Sequence, residues 1–227
     1  VEEIKITILI PCYNEENNIL EIIDLVKKVD LGYPKEIIVI DDGSEDSSVE
    51  KIKTQTGIKL LQHKKNLGKG KAIQTGLLHA TGDIIVIQDA DLEYFPNDIP
   101  RLLEPLIKGQ ADAVYGSRFL GVADGMSFSH NFGNRLLSWA TRLLFRNSIT
   151  DIMTGYKVFF KKALDGISLK CKGFELEPEI TVKLLKNGKR ILEVPISYCY
   201  RRKGKAKIGW KDGIICLWWL IKGKLSK

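Results

Sequence analysis

Short, uninterrupted apolar runs alternate along the chain with stretches in which apolar residues recur every three or four positions. K-I-T-I-L-I at 5–10, E-I-I-V-I at 36–40 and D-I-I-V-I at 83–87 are β-branched runs of strand length. They predict buried strands, the first closed by Pro11. Between the first two, Ile19, Ile22, Ile23 and Val26 carry the spacing of an amphipathic helix over 14–29. A helix over 47–54, a short strand over 59–62 and a helix over 68–79 follow, the last after a loop holding Gly68 and Gly70. Buried strands alternating with helices predict an α/β fold, a mainly parallel mixed sheet with helices on both faces.

The second half is less regular. Residues 113–116 read as a strand leading to Ser117-Arg118, and 134–145 as an apolar helix with Arg135 and Arg142 on one face. A helix over 177–186 precedes a strand within 190–200, which runs into a basic stretch, Arg201 to Lys207. No internal repeat or linker divides the chain, so 1–227 is read as one domain, with 208–227 a basic amphipathic C-terminal helix.

In sheets of this kind ligands bind outside the carboxyl ends of the strands. Three predicted strands end in polar clusters: Pro11-Cys12-Tyr13-Asn14-Glu15, Asp41-Asp42-Gly43-Ser44 and Asp89-Ala90-Asp91-Leu92-Glu93. All three should face one cleft. Asp89 and Asp91 put two carboxylates close together on a turn, a pair of hard oxygen ligands suited to Mg²⁺ or Mn²⁺ bridged to substrate phosphates. Glu93 is either a third ligand or a solvated acid. A carboxylate at Asp41-Asp42 suits a base N–H or a ribose hydroxyl, Tyr13 can lie against a base, and Glu15 either joins them or caps the following helix. No Walker loop and no G-x-G-x-x-G follow the first strand, which counts against P-loop, NAD and FAD chemistry.

Composition narrows the class. The 227 residues are 44% hydrophobic and 28% charged, which excludes a disordered or fibrous chain. Cys12, Cys171, Cys199 and Cys216 share no C-x-x-C spacing, so reduced structural thiols of a cytosolic protein are expected. The first residues do not read as a secretory leader. The longest uncharged apolar stretch near the C-terminus, 213–221, is short of the ~20 residues that span a bilayer. From Lys186 onward twelve Lys and Arg face only Glu193 and Asp212, a balance of +10 within a chain total of +7. A basic tail on a mildly acidic body suits an anionic partner: nucleic acid, lipid headgroups or phosphates. No nucleic-acid module accompanies it, which sets nucleic acid aside.

The ordered set P-C-Y-N-E, D-D-G-S, G-K-G-K-A, D-A-D-L-E, G-S-R, D-I-M-T-G-Y and E-V-P-I-S-Y, then Arg201 and G-x-x-K, resembles the family-2 glycosyltransferases over roughly 6–213. Within them it is most similar to the polyprenyl-phosphate branch, which includes dolichol-phosphate mannose synthases. The resemblance implies a Rossmann-like nucleotide-diphospho-sugar transferase fold. It also implies inverting, metal-dependent transfer of a hexose from a GDP-mannose or UDP-glucose type donor to a polyprenyl or dolichyl phosphate. By motif match, Pro11, Tyr13, Glu15, Ile40 and Asp42 surround base and ribose, while Asp89, Ala90 and Asp91, with Glu93, hold the metal and donor diphosphate. Arg118, Arg201 and Lys207 match phosphate-binding positions and, with Asp91, are the implied catalytic set. Arg135 is a further candidate for the lipid phosphate, and Asp151 matches an acid of open role. Where the branch has G-E-S-K, this chain has Gly204-Lys205-Ala206-Lys207, with the Arg201-to-Lys207 spacing kept.

Arg suits this chemistry because its planar fork grips phosphate oxygens bidentately. A lipid monophosphate is already anionic, so it needs positioning more than a base. His63, His79 and His130 are accordingly left as structural or surface residues. A soluble or glycan hydroxyl acceptor is the rival reading and would need a base such as Asp151. A non-catalytic sugar-nucleotide-binding partner of a membrane complex is the third. Ile214, Leu217, Trp218, Ile221 and Leu225 fall on one helical face flanked by lysines. This stripe either lies in a membrane interface, on the cytoplasmic face, or packs on the core.

Overall fold

The computed structural model describes residues 3–124, 128–200 and 210–225. Its first half runs β1 (Ile6–Cys12), α1 (Ile19–Lys28), β2 (Lys35–Asp41), α2 (Ser48–Lys53), β3 (Lys59–Gln62), α3 (Lys69–His79), β4 (Ile84–Ile87) and α4 (Ile99–Ile107). The second half runs β5 (Ala113–Asp124), α5 (Phe128–Phe145), β6 (Lys157–Phe160), α6 (Leu176–Lys186), β7 (Ile191–Cys199) and α7 (Trp210–Leu225). The strands form one sheet in the order β3-β2-β1-β4-β6-β5-β7. Neighbours are parallel except β6, which is antiparallel to β4 and β5.

Alternation along each strand builds a core on either face. Ile6, Ile8 and Ile10 of β1 meet Ile19, Ile22 and Ile23 of α1 and Leu102 and Leu106 of α4. Leu9 of the same strand, with Ile38, Ile40, Ile85 and Phe159, meets Ala72 and Ile73 of α3, Ile180 of α6 and Leu220 of α7. Helices therefore cover both faces, as expected for parallel strands that are apolar throughout.

Four boundaries differ from the expectation. β1 continues through Pro11 to Cys12: Leu9 O accepts Gln88 N–H on the β4 side and Cys12 O accepts Asp42 N–H on the β2 side. Pro11 thus lacks its N–H on the side where β4 has already ended, the position that tolerates proline. α1 starts at Ile19 because Asn14 is left-handed, φ 51°, and Glu15 O takes both Asn18 N–H and Ile19 N–H in a turn. β5 runs on to Asp124 along β7 through a register shift between Ser117 and Val122. α5 begins at Phe128, one and a half turns before the predicted start.

α7 answers the question left open for the C-terminal stripe. Cys216 and Leu220 are buried against the sheet layer, and Gly223 lies so close to α6 that a Cβ would come within 2.6 Å of Val182. The opposite stripe, Ile214, Leu217, Trp218, Ile221 and Leu225, is exposed. The helix packs on the core with one face and presents the predicted stripe with the other. Among the described residues, no helix is long and apolar enough to cross a membrane, and no disulfide joins the four cysteines.

Candidate active site

The carboxyl ends of β1, β2 and β4 open into one cavity of about 480 Å³. Pro11, Tyr13, Glu15, Asp42, Asp89, Ala90, Asp91, Glu93 and Arg118 all line it, so the three polar clusters converge as their strand ends require. The first two loops are laced together. Asn14 N–H donates to Ser44 Oγ at 2.9 Å, Glu45 N–H to Asn14 Oδ1 at 2.8 Å, and Glu15 N–H to Ser48 Oγ at 2.9 Å. Glu15 does not cap α1 through its side chain; its carboxylate accepts from Asn18 Nδ2 at 2.7 Å.

Asp42 fixes the loop that leads into α3. Its oxygens accept Leu67 N–H at 3.0 Å and Gly68 N–H at 2.7 Å, and His63 Nδ1 lies 2.7 Å away. His63 Nε2 reaches Thr75 Oγ1 at 2.9 Å, so this histidine holds structure and does not face the cavity. Gly68 has φ +96°, open to glycine and strained for other residues, and a Cβ there would overlap Lys172 O. Asp41, by contrast, turns back to accept Gly43 N–H and Ser44 N–H at 3.2 Å and shapes its own turn.

The acidic turn after β4 is held by its backbone. Leu92 is left-handed, φ 63°, a conformation that costs about 1 kcal/mol in a residue with a Cβ. Glu93 N–H donates to Asp91 Oδ1 at 3.2 Å across that residue. Glu93 Oε2 accepts the Tyr198 hydroxyl at 2.6 Å, and burial followed by that carboxylate pushes the phenol above its ordinary pKa. Tyr198 also stacks at 5.4 Å from Tyr94, and the Arg118 guanidinium lies 5.4 Å from its ring centre.

Two ionic assemblies form the remaining wall. Arg118 meets Asp151 through Nε to Oδ2 and an NH2 donor to Oδ1, both 2.7 Å, and its backbone N–H adds a third bond at 3.1 Å. Burial works against the guanidinium charge, but Asp151 outweighs it and holds the group protonated. Asp151 is fully buried. Lys69 Nζ contacts Asp89 at 2.8 and 3.0 Å and lies 3.1 Å from Glu177 Oε1, while Glu177 Oε2 meets the buried Lys157 at 2.5 Å. Burial opposes the Lys69 charge, yet Asp89 and Glu177 hold it above the ordinary lysine range. A Cβ at Gly155 would overlap Asp89 Oδ2, so the chain passes this carboxylate only as glycine.

Not every predicted residue reaches the cavity. Ile40 is buried in the core beside Gly76, and its side chain does not line the site. Arg135 is exposed on α5, 4.6 Å over the Phe119 ring and bonded to Asn131, and does not line it either; Asn134 does. Arg201 and Lys207 lie outside the described residues. Lys69, Glu177 and Tyr198 line the site without having been singled out. Lys69 and Tyr198 had a local signal, their places in G-K-G-K-A and E-V-P-I-S-Y; Glu177 had none.

Among the described residues, no three His, Cys, Asp or Glu side chains are grouped to hold a metal ion. The expected trio of Asp89, Asp91 and Glu93 is not a ready-made cage, because Glu93 is turned to Tyr198. Asp89 and Asp91 do fit a smaller role. Mg²⁺ and Mn²⁺ sites commonly take one or two carboxylates and complete their shell with substrate phosphates and water.

A sheet that gathers acidic turns at its carboxyl edge, with cations beside them, is a Rossmann-like α/β arrangement suited to an anionic, phosphate-bearing ligand. The fold is shared with glucosyl-3-phosphoglycerate synthase from Mycobacterium tuberculosis, solved with Mn²⁺, uridine diphosphate and phosphoglyceric acid. That structure superposes with a TM-score of 0.76 at 19% identity, covering 98% of this chain and 78% of that one. The chain belongs to glycosyl transferase family 2, whose model matches residues 7–167. It is 31% identical over 218 residues to a dolichol-phosphate mannosyltransferase of Pyrococcus furiosus, covering 91% of this chain and 60% of that relative's length. It is also 31% identical over 225 residues to a UDP-N-acetylglucosamine–dolichyl-phosphate N-acetylglucosaminyltransferase of Methanococcus voltae, covering 89% of this chain and 88% of the relative.

Proposed function

We propose that the protein transfers a hexose, with inversion, from a GDP- or UDP-linked donor to a polyprenyl phosphate at a membrane surface. The observation that carries this reading is the pairing, in one cavity, of the two turn-borne carboxylates Asp89 and Asp91 with the cations Lys69 and Arg118. Pro11, Tyr13, Glu15 and Asp42 form the nucleoside end. Asp89 and Asp91 would hold Mg²⁺ or Mn²⁺, which when bound offsets the charge that builds on the departing diphosphate. Lys69 orients Asp89, and Arg118 presents a guanidinium at the cavity wall, fixed in place by Asp151.

A phosphate nucleophile needs alignment more than deprotonation. A hydroxyl acceptor would need a base, Asp151 or another carboxylate, and the first candidate is Asp151. It is buried and bidentately engaged by Arg118, which weighs against that reading. Arg201 and Lys207 are proposed to grip the acceptor phosphate on the strength of the motif alone. The exposed stripe of α7 and the exposed Phe132, Leu136, Trp139 and Leu143 of α5 support seating on a lipid surface. The names of the two dolichyl-phosphate relatives support the acceptor class.

The test is transfer of labelled sugar from GDP-mannose, UDP-glucose and UDP-N-acetylglucosamine to a polyprenyl phosphate with Mg²⁺ or Mn²⁺, counted in the organic phase. One donor should give extractable label, and Asp91→Ala should reduce it by more than about a hundredfold with an unchanged melting temperature. Full turnover in that variant would remove Asp91 from the site. No label with any donor, despite donor binding, would point to another acceptor or to a binding role.

A further inference from the structure

The wall beside Asp89 carries a buried acceptor without a hydrogen bond. Glu177 is 2% exposed and lines the cavity from the first turn of α6. Its Oε2 is taken by Lys157, which is fully buried and also donates to the carbonyls of Ile152 and Thr154. Its Oε1 receives no hydrogen bond among the described residues and has as its charged neighbour Lys69 Nζ, 3.1 Å away, which also contacts both oxygens of Asp89. A buried acceptor left unsatisfied costs about 1–3 kcal/mol, more when charged, so such an atom in a cavity calls for an explanation. Gln88 Oε1 shares the condition but lies off the cavity.

The local charge selects the kind of partner. Lys157, Glu177, Lys69 and Asp89 form a chain of two ammonium groups and two carboxylates whose charges cancel. A further phosphate would meet the bare lone pairs of a carboxylate, whereas a neutral hydroxyl donates to them. Gly155, Gly173 and Phe174 line the same cavity, small residues and an aromatic surface of the kind that suits a sugar ring. Glu177 is linked through a single ammonium to Asp89, where the donor diphosphate is proposed to lie, and the hexose is joined directly to that diphosphate.

We infer that Glu177 Oε1 accepts a hydrogen bond from a hydroxyl of the transferred hexose, which makes Glu177 a positioning and specificity residue of the donor site. This rests on the donor-site reading above. Lys157 has the supporting part: by occupying Oε2 it fixes the carboxylate and leaves Oε1 as the oxygen open to a further hydrogen bond.

Glu177→Gln tests it. The amide must keep its oxygen toward the Lys157 ammonium, which turns its NH₂ group into the cavity and replaces an acceptor with a donor. Calorimetric titration with UDP, GDP, UDP-glucose, UDP-N-acetylglucosamine and GDP-mannose, each with Mn²⁺, separates nucleotide from sugar. The expected result is unchanged affinity for the bare nucleoside diphosphate and a loss of about tenfold to a hundredfold for the matching nucleotide sugar, the size of a hydrogen bond to a charged acceptor. Equal loss for both ligands, or no loss for either, would overturn the inference and mark Glu177 as structural. Failure of the wild-type protein to bind any of the nucleotides would overturn the donor-site reading itself, and this one with it. Deoxy-hexose analogues of the bound donor, titrated against the wild-type protein, keep the question open to refutation if the variant does not fold. Loss should be confined to one hydroxyl position, and equal affinity across the deoxy series would sink the assignment.

Discussion

The two halves of the sheet edge hold their functional groups by different means. Before β5, backbone N–H groups do much of the placing: those of Leu67 and Gly68 hold Asp42, that of Glu93 holds Asp91, and the Asn14 loop is tied to Ser44 and Glu45. From β5 onward the groups are placed by other side chains: Arg118 by Asp151, Glu177 by Lys157, and Tyr198 by Glu93. The surfaces differ too. Among the described residues, the exposed large apolar side chains before β5 are Leu78 and Phe95, whereas α5 and α7 alone expose three or more each, Trp139 and Trp218 among them. The first half is built to receive a polar ligand through backbone geometry; the second combines buried charge pairs with an apolar exterior.

The contrast breaks most sharply at Asp151. Asp151→Ala leaves a 7% exposed guanidinium without its carboxylate, and removing one partner of a buried pair typically costs about 3–5 kcal/mol. Denaturant unfolding should register a loss of that size, together with loss of transfer. A change under about 1 kcal/mol would mean that solvent reaches Arg118 freely and that the pair is not a structural anchor. Asp42→Ala should be milder, about 1–3 kcal/mol, because the freed N–H groups of residues 67 and 68 are only partly buried and water can reach them. Asp42→Asn should recover part of the loss, since one carbonyl oxygen still accepts. If the two alanine variants lose equal stability, the proposed difference between backbone-held and side-chain-held groups is wrong.

This difference also explains what the sequence could reveal. Turns are local, so the carboxylates after β1, β2 and β4 could be placed at one edge from strand ends alone. Asp89 and Asp91 were then legible as a pair. The partners of Arg118 and Glu177 were not, because 33 and 20 residues separate them and no periodicity links their positions. Lys157 opens the strand β6 and is fully buried. Its burial follows from Glu177, which arrives on α6. Arg135 shows the converse. Its spacing from Arg142 put both on one face of α5, which is exposed, but a helix face alone does not say whether a guanidinium turns to the cavity, and here it stacks on Phe119.

The smallest expected effect probes the outer surface of the second half. Trp139 and Trp218 are 54% and 53% exposed, on helices that pack against one another, and Lys222 lies 4.5 Å from the Trp218 ring centre. Exposed tryptophans beside lysines have the make-up of an interfacial contact, with rings at the headgroup boundary and ammonium groups near lipid phosphates. Each ring has roughly half its area to bury, and partial entry is worth on the order of 1 kcal/mol. Trp218→Ser should therefore weaken binding to anionic phosphatidylglycerol vesicles by about fivefold, and Trp139→Ser by a similar factor. Lys222→Gln should act mainly at low salt, because exposed charges are screened within a Debye length of about 10 Å at 0.1 M. The same substitutions should leave calorimetric binding of the nucleotide sugar unchanged, since neither tryptophan lines the cavity. If vesicle binding is indifferent to both tryptophans while donor binding falls, the exposed apolar surface belongs to the scaffold of the site, and the division of labour between the two halves must be redrawn.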